Sequence, residues 1–213
     1  MAATDVEVRC ALEAVRRAGA VAARVQRDLA HSALLKEDLS PVTVADFAVQ
    51  AVVGCLLRRA FPDAALVAEE DSGALRQEAH AAVLESVVQY VAAALPDAAP
   101  DAVCAWIDAG NDAPGQRFWT LDPIDGTKGF LRGEQYAIAL ALVEDGKVAL
   151  GVLGCPNLVE VSKPVRGGPG SIVAATRGQG AWWAPMEGEE TFRRLRVSDR
   201  HDPAQARLLR SAE

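Results

Sequence analysis

Cysteine is scarce in this sequence, and its spacing carries no metal or redox signature. Four cysteines, Cys10, Cys55, Cys104 and Cys155, are spread through 213 residues, and no two lie close enough along the chain for a zinc knuckle or a redox pair. Each lies in an apolar segment, where a free thiol behaves as a small hydrophobic side chain. The sequence therefore predicts four reduced cysteines and a reducing compartment.

An excess of basic charge and long apolar runs are also lacking. Lys and Arg number 22 against 29 Asp and Glu, which gives a formal charge of −7 and argues against a nucleic acid polymer as partner. No apolar run reaches the roughly eighteen residues that a bilayer crossing needs, so we expect no membrane span. The N-terminus carries Asp5 and Glu7 without a secretory apolar region, so a cytoplasmic location is the expectation. The sequence predicts no particular oligomeric state.

Aromatic residues are few as well, at 5% of the chain, although hydrophobic residues make up 50% and charged residues 24%. This balance is typical of a folded globular protein. Much of the apolar content is Ala and Val, which predicts a core of small side chains with closely packed helices. A chain of this length buries roughly 70% of its unfolded surface, so it needs no disulfide or metal to fold.

Helical patterns fill the first half of the chain and strand patterns the second. Apolar spacing predicts helices over 5–30, 44–60 and 74–95 and a loop over 96–102. Thr43 is the predicted cap of the second helix, and Ser40 before Pro41 is predicted to be extended. Apolar runs predict strands over 65–68, 118–121, 136–143, 147–153, 172–176 and 181–183, with Asp145-Gly146 as a hairpin turn. Helices followed by consecutive strands indicate an α+β fold, with N-terminal helices layered on a largely antiparallel sheet.

Acidic residues stand at the ends of two predicted strands. Glu69 and Glu70 follow the run at 65–68, and Asp122 and Asp125 follow the run at 118–121. Carboxylates gathered at strand ends repel one another and cost stability unless a cation neutralises them. Taken alone, the run of Glu69, Glu70 and Asp71 is better explained as part of a solvated loop.

The segment 122–127 favours a cation site over that simpler explanation. Pro123 fixes its own φ angle and Gly126 permits a tight turn, so both aspartates can face one point. Oxygen ligands without His or Cys select a hard cation, and Mg²⁺ is the natural choice where phosphate is also bound. An aspartyl nucleophile of the haloacid-dehalogenase type is excluded, because proline stands two residues before Asp125.

The run Asp122-Pro-Ile-Asp-Gly-Thr127 resembles the signature of the lithium-sensitive, Mg²⁺-dependent phosphatase superfamily. That superfamily includes inositol monophosphatases, fructose-1,6-bisphosphatases and bisphosphate nucleotidases. The segments 40–46 and 68–71 resemble its two upstream motifs, in the right order. The continuation over 127–136 and the segment 151–156 resemble the 3′(2′),5′-bisphosphate nucleotidase branch, whereas inositol monophosphatases usually differ just after the threonine.

The resemblance implies a phosphomonoester hydrolase that removes the 3′-phosphate from 3′-phosphoadenosine 5′-phosphate, giving AMP and phosphate. It also implies activity on the sulfated analogue, a link to sulfur metabolism, two or more Mg²⁺ ions and inhibition by Li⁺. By resemblance, the metal ligands are Glu69, Asp122, Asp125 and the Ile124 carbonyl. Asp46 and Thr127 are implied to activate the attacking water, and the Gly126 and Thr127 amides are implied to bind the phosphate. Glu70 and Lys128 are secondary candidates. Asp46 is expected to lie in the first turn of its helix and to stay ionised.

The sequence departs from the family in its length. Members continue into a second α/β domain with a Trp-Asp motif, and this sequence has no Trp-Asp pair. The expectation is that residues 1–213 form the N-terminal α+β domain, truncated before the C-terminal one. Two alternatives stay open: a catalytically inactive chain that binds metal or a partner, and an inositol polyphosphate 1-phosphatase.

Overall fold

The computed structural model of the chain describes residues 3–31, 41–188 and 191–205. Its α-helices are α1 (Asp5–His31), α2 (Pro41–Ala60), α3 (Ala81–Ala92), α4 (Pro100–Asp108) and α5 (Thr127–Arg132). Its strands are β1 (Ala65–Val67), β2 (Arg117–Asp125), β3 (Ala137–Glu144), β4 (Lys147–Cys155), β5 (Leu158–Val159), β6 (Lys163–Pro164), β7 (Ser171–Thr176), β8 (Gly180–Pro185) and β9 (Arg193–Leu195). None of the described helices combines the length and apolar composition that a membrane crossing requires. Ser40 lies outside the described residues.

Seven strands form one sheet in the order β1-β2-β3-β4-β7-β8-β9, and β5 pairs with β6 separately. Only β1 and β2 are parallel neighbours, and every other pair is antiparallel. The predicted α+β class with a largely antiparallel sheet is therefore confirmed. Strand β2 is longer than predicted because its pairing with β3 continues, after a register shift, as far as Asp125.

The core lies between one face of the sheet and the two long helices. Val15 and Ala18 of α1 are fully buried together with Ala48 of α2, and on the sheet Leu140 is 1% exposed and Ile172 0%. The small helical side chains let α1 and α2 lie close to each other, as the composition predicted. Because strand side chains alternate, the intervening residues point away from the helices and are less buried.

Two predictions are wrong where a helix begins at a proline: the start of α2, and the loop in place of α4. Helix α2 begins at Pro41, because proline at the first helical position loses no hydrogen bond. Thr43 therefore lies inside the helix and is not its cap, and Asp46 lies in the second turn. Helix α4 begins at Pro100, inside the predicted loop, for the same reason.

The helix predicted over 74–95 is shorter in the structure. A 3₁₀ turn over Glu78–His80 leads into α3, which ends at Ala92. Residues 74–77 form turns instead, with the amide of Gln77 bonded to the carbonyl of Ala74 at 3.2 Å.

Two local predictions are confirmed. Asp145 and Gly146 have φ angles of 49° and 69°, the pair of positive values that a tight two-residue hairpin turn requires. All four cysteines are free, with Cys55 and Cys104 buried.

Candidate active site

Acidic side chains from three elements lie near one another at one edge of the sheet. Asp46 projects from α2, Glu69 and Glu70 directly follow β1, and Asp122 lies in β2. The parallel pairing of β1 with β2 brings the carboxyl ends of these two strands to the same edge. The charges of Glu70, Glu69 and Asp122 all act on Asp46, so the structure brings together carboxylates that are far apart in sequence.

Asp46 is the most strongly perturbed of these groups. Burial raises its pKa first, and the charges of Glu70, Glu69 and Asp122 raise it further, to about 7. The expectation that Asp46 stays fully ionised is therefore wrong for the metal-free chain. The physical reason is that burial and the three neighbouring carboxylates disfavour the charged form of Asp46.

Two further carboxyl groups are held above their ordinary pKa values. The pKa of Asp122 is raised by burial and by the charges of Glu69 and Asp125, against a hydrogen bond from the Ile124 amide that lowers it. The pKa of Glu70 is raised by burial and by the charges of Glu69 and Asp71. The carboxylates of this edge thus repel one another, as the sequence predicted for carboxylates gathered at strand ends.

The turn that ends β2 brings together two more predicted residues. The Ile124 side chain is 3% exposed, and its burial anchors the turn to the core. The Ile124 carbonyl accepts a hydrogen bond of 3.4 Å from the Thr127 hydroxyl. Gly126 has a φ of 91°, a conformation that favours glycine. Asp125 and Lys128 are exposed beside this turn.

Gln50 fixes the loop that carries the glutamates, and sequence reasoning did not identify it. Its side chain is fully buried. The amide nitrogen donates to the carbonyls of Glu70 at 2.5 Å and Ile107 at 2.9 Å, and the amide oxygen accepts from the Glu70 N–H at 3.0 Å. The available signal was a single polar residue within the apolar run 47–57 of α2, four positions after Asp46 and so on the same face.

The C-terminal end of α4 anchors the same loop from its other side. The carboxylate of Asp108 accepts hydrogen bonds from the Ser72 amide at 2.8 Å and the Ser72 hydroxyl at 2.7 Å. The amide of Ala68 donates to the carbonyl of Gly110 at 2.9 Å. The position of the acidic loop therefore depends on a helix that the sequence did not predict.

The donor set fits a hard divalent cation in its chemistry. Every side chain of the cluster is a carboxylate, and a cation would relieve the repulsion recorded in the raised pKa values of Asp46 and Asp122. Within residues 3–31, 41–188 and 191–205, no three His, Cys, Asp or Glu side chains already converge closely enough to hold a metal ion. The cluster is thus an acidic edge with the right ligands, and not a closed metal cage.

A shallow depression of about 370 Å³ adjoins this edge on the sheet face that points away from α1 and α2. Glu69 and Asp122 stand at its border, and Thr120, Ala141 and Gly151 form part of its floor. Small side chains on three neighbouring strands leave this space beside the carboxylates. A ligand bound at the acidic edge could extend over this floor.

The chain is similar in sequence to known phosphatases. The sequence model of the Inositol monophosphatase family matches residues 6–212. The chain is 38% identical to 3′(2′),5′-bisphosphate nucleotidase 1 of Candida albicans (strain WO-1), covering 97% of this chain and 63% of that protein. It is 39% identical to 3′(2′),5′-bisphosphate nucleotidase 1 of Arabidopsis thaliana, covering 95% of this chain and 64% of that protein. The chain therefore spans a little under two thirds of the length of these relatives.

Solved structures of other proteins share the fold of this chain. The extragenic suppressor protein suhB of Bartonella henselae superimposes with a TM-score of 0.53 at 21% identity, covering 91% of this chain and 55% of that one. SuhB of Mycobacterium tuberculosis gives a TM-score of 0.51 at 18% identity, covering 87% of this chain and 49% of that one. These likenesses concern the fold alone. With a family match over nearly its whole length, the chain belongs to the inositol monophosphatase family, in which magnesium dependence and lithium sensitivity are typical.

Proposed function

We propose that this chain belongs to a Mg²⁺-dependent phosphomonoester hydrolase that removes the 3′-phosphate from 3′-phosphoadenosine 5′-phosphate, giving AMP and phosphate. The observation that carries the proposal is the mutual approach of Asp46, Glu69, Glu70 and Asp122, each drawn from a segment that resembles a family motif. The names of the curated relatives support this substrate over an inositol phosphate. The link to sulfur metabolism, the domain assignment and the cytoplasmic location stay predictions.

In this proposal Glu69, Asp122, Asp125 and the Ile124 carbonyl hold Mg²⁺. The bound ions supply positive charge that offsets the phosphate and makes a water molecule more acidic. With a bound cation offsetting the charge of its neighbours, Asp46 would be ionised and would be the group that accepts the proton of the attacking water. The Thr127 hydroxyl, already hydrogen-bonded to Ile124, orients that water.

The remaining residues of the turn bind the substrate phosphate. The Gly126 and Thr127 amides donate to its oxygens, because both residues are exposed at the turn. Lys128, also exposed, adds positive charge beside the same phosphate. Glu70 shapes the site through its repulsion of Asp46 and is a secondary ligand candidate.

The test is phosphate release from 3′-phosphoadenosine 5′-phosphate by the chain with Mg²⁺, with EDTA and with added Li⁺. We expect release that requires Mg²⁺ and is inhibited by Li⁺, and loss of about 10²–10⁴-fold in rate for Asp46→Asn, the range typical of a general base. Asp122→Asn is also expected to abolish release, whereas Asp63→Asn, an exposed aspartate outside the cluster, serves as the matched control. Unchanged turnover in Asp122→Asn contradicts the metal assignment.

A second candidate function is cation binding without turnover. It is favoured by the span of the match, because the chain covers only 63% and 64% of the length of the two curated relatives. Mg²⁺ binding measured by calorimetry, without phosphate release from either the nucleotide or inositol 1,4-bisphosphate, would select this candidate. Release from the inositol substrate alone would select the inositol phosphatase alternative.

A further inference from the structure

A cavity of about 320 Å³ lies on the helix side of the sheet, between α1 and the loops that follow β4, β6 and β8. Its walls include apolar groups, among them Ala20, Ala23, Pro156 and Met186. The volume lies in the range of small-molecule sites. None of the carboxylates of the candidate active site lines this cavity.

The charged groups of this cavity are mainly cationic. Among the residues that the structure describes, Arg16, Arg27 and Arg166 line it together with one carboxylate, Glu187. Three arginines thus line one cavity in a chain whose formal charge is −7. Guanidinium is the side chain that best matches the planar, bidentate geometry of phosphate and related oxyanions.

Local packing positions two of these arginines. The half-buried Arg16 lies over the ring of Phe192, 6.0 Å from its centroid. Arg166 lies against Gly133, where an added Cβ would be only 2.5 Å from the guanidinium carbon. Among the described residues no carboxylate forms an ion pair with Arg166, so this side chain brings a positive charge to the cavity that no described acid offsets.

The loop that carries Arg166 is held in place by a buried polar network. Asn157 is 3% exposed and Gln26 is 6% exposed. The Asn157 amide nitrogen donates to the Gln26 side-chain oxygen at 2.8 Å and to the Glu134 carbonyl at 2.7 Å. Its oxygen accepts from the Gly167 amide at 3.2 Å. The cavity is therefore formed before any ligand arrives.

The cavity and the acidic edge have no residue in common. Asn157 follows β4, which lies two strands from β2 in the sheet, a spacing of roughly 10 Å. The geometry points to a second ligand site of opposite charge preference: a pocket for a small organic anion with a phosphate or sulfate group. The arginines bind the oxyanion, and the apolar wall packs against the rest of the molecule.

Binding of inorganic phosphate, AMP and adenosine to the chain in the presence of EDTA tests this site by calorimetry. EDTA removes divalent cations, so the acidic edge repels both anionic probes and any binding reports on the cavity. We expect AMP to bind more tightly than phosphate, because it uses the wall as well, and adenosine to bind more weakly than AMP. The double variant Arg27→Ala/Arg166→Ala is expected to weaken AMP binding at least about tenfold, because charge-assisted hydrogen bonds are lost.

The matched control removes the same charge elsewhere. Arg9→Ala/Arg24→Ala deletes two exposed arginines of α1 that do not line the cavity, and AMP binding is expected to stay within about twofold of the unaltered chain. Three results overturn the inference: no binding of phosphate or AMP in EDTA, equal loss in both double variants, or equal affinity for adenosine and AMP. Each is independent of the phosphatase assay, which is run with Mg²⁺ and depends on the acidic edge.

Discussion

Replacing Gln50 by leucine is expected to destabilise the chain and to disturb the acidic edge. The change removes three hydrogen bonds and leaves the Ile107 carbonyl, the Glu70 carbonyl and the Glu70 N–H without this partner. A buried polar group that loses its partner costs about 1–3 kcal/mol. The two groups of the half-buried Glu70 can regain part of this from water, so we expect a total loss of about 2–5 kcal/mol in the free energy of unfolding.

Urea unfolding measures this loss directly, with a lower midpoint at unchanged slope. Gln89→Leu on the exposed side of α3 is the matched control and is expected to change stability by less than about 0.5 kcal/mol. Gln50→Glu adds a second test, because a carboxylate cannot donate to the two carbonyls at neutral pH. Its deficit relative to the unaltered chain is expected to shrink as the pH is lowered and the new acid gains a proton to donate.

Two results would refute this reasoning. A Gln50→Leu chain as stable as the Gln89→Leu control would show that water replaces the lost hydrogen bonds at no cost. A Gln50→Glu deficit that does not depend on pH would show that the donor role of the Gln50 amide is not what stabilises the loop. In the phosphatase assay, Gln50→Leu is expected to lower kcat while the chain is still folded, because the loop that carries Glu69 moves relative to Asp46.

The remaining predictions concern other parts of the same edge. The folded pKa of Asp46, about 7, lies above its ordinary value of 3.8, so in EDTA the folded state retains a proton that the unfolded state has lost. The free energy of unfolding is therefore expected to fall by about 1–3 kcal/mol from this group, allowing for partial exposure, as the pH rises from about 4 to 7. In pH-dependent urea unfolding Asp46→Asn should make this slope shallower, and the raised pKa values of Asp122 and Glu70 account for the slope that stays. Gly129→Ala places a Cβ against the Gln135 carbonyl oxygen and is expected to lower the free energy of unfolding by at least about 2 kcal/mol, measured by thermal unfolding. In the control Gly115→Ala the added Cβ meets nothing closer than 4.0 Å, so stability should change little. Mg²⁺ is expected to raise the Tm of the unaltered chain and to raise that of Asp122→Asn less, and an equal rise in both chains would count against Asp122 as a ligand.

Sheet and turns were predictable because their signals are local. Apolar runs predict β1, β3, β4, β7 and β8 to within two residues, whereas β2 extends four residues beyond its predicted end and the short strands β5, β6 and β9 were not predicted. The sequence Asp145-Gly146 is one of the few that readily adopts two positive φ angles in succession. Helix α4 was not predictable by the same reasoning. Pro100 was interpreted as part of a loop, although proline is equally at home in the first turn of a helix, and only the packing of α4 on α2 decides between the two.

In the candidate site, too, the residues with local sequence signals were predictable and those positioned by long-range contacts were not. Its carboxylates were identified because they occur in short motifs, and the turn at Ile124 and Thr127 follows from neighbours in sequence. The residues that fix the loop were not identified, because Gln50, Ser72 and Asp108 are joined by contacts across 20 to 57 positions and 36 positions. The arginine-lined cavity is also beyond sequence reasoning, since α1 and three separate loops each contribute one part of its wall.

The anchors of the acidic loop show how a chain can hold repelling carboxylates side by side without neutralising them. Gln50 holds the main chain of Glu70, Gly110 holds the main chain of Ala68, and Asp108 holds Ser72. In the described part of the chain no side chain donates a hydrogen bond to the carboxylates of Glu69 or Glu70. The loop is thus fixed through its backbone, and the carboxylate oxygens keep their lone pairs for a cation. An arginine paired with Glu69 would stabilise the metal-free fold better, but it would compete with a cation for the carboxylate. The raised pKa values of Asp46, Asp122 and Glu70 are therefore the energetic consequence of keeping these ligands available.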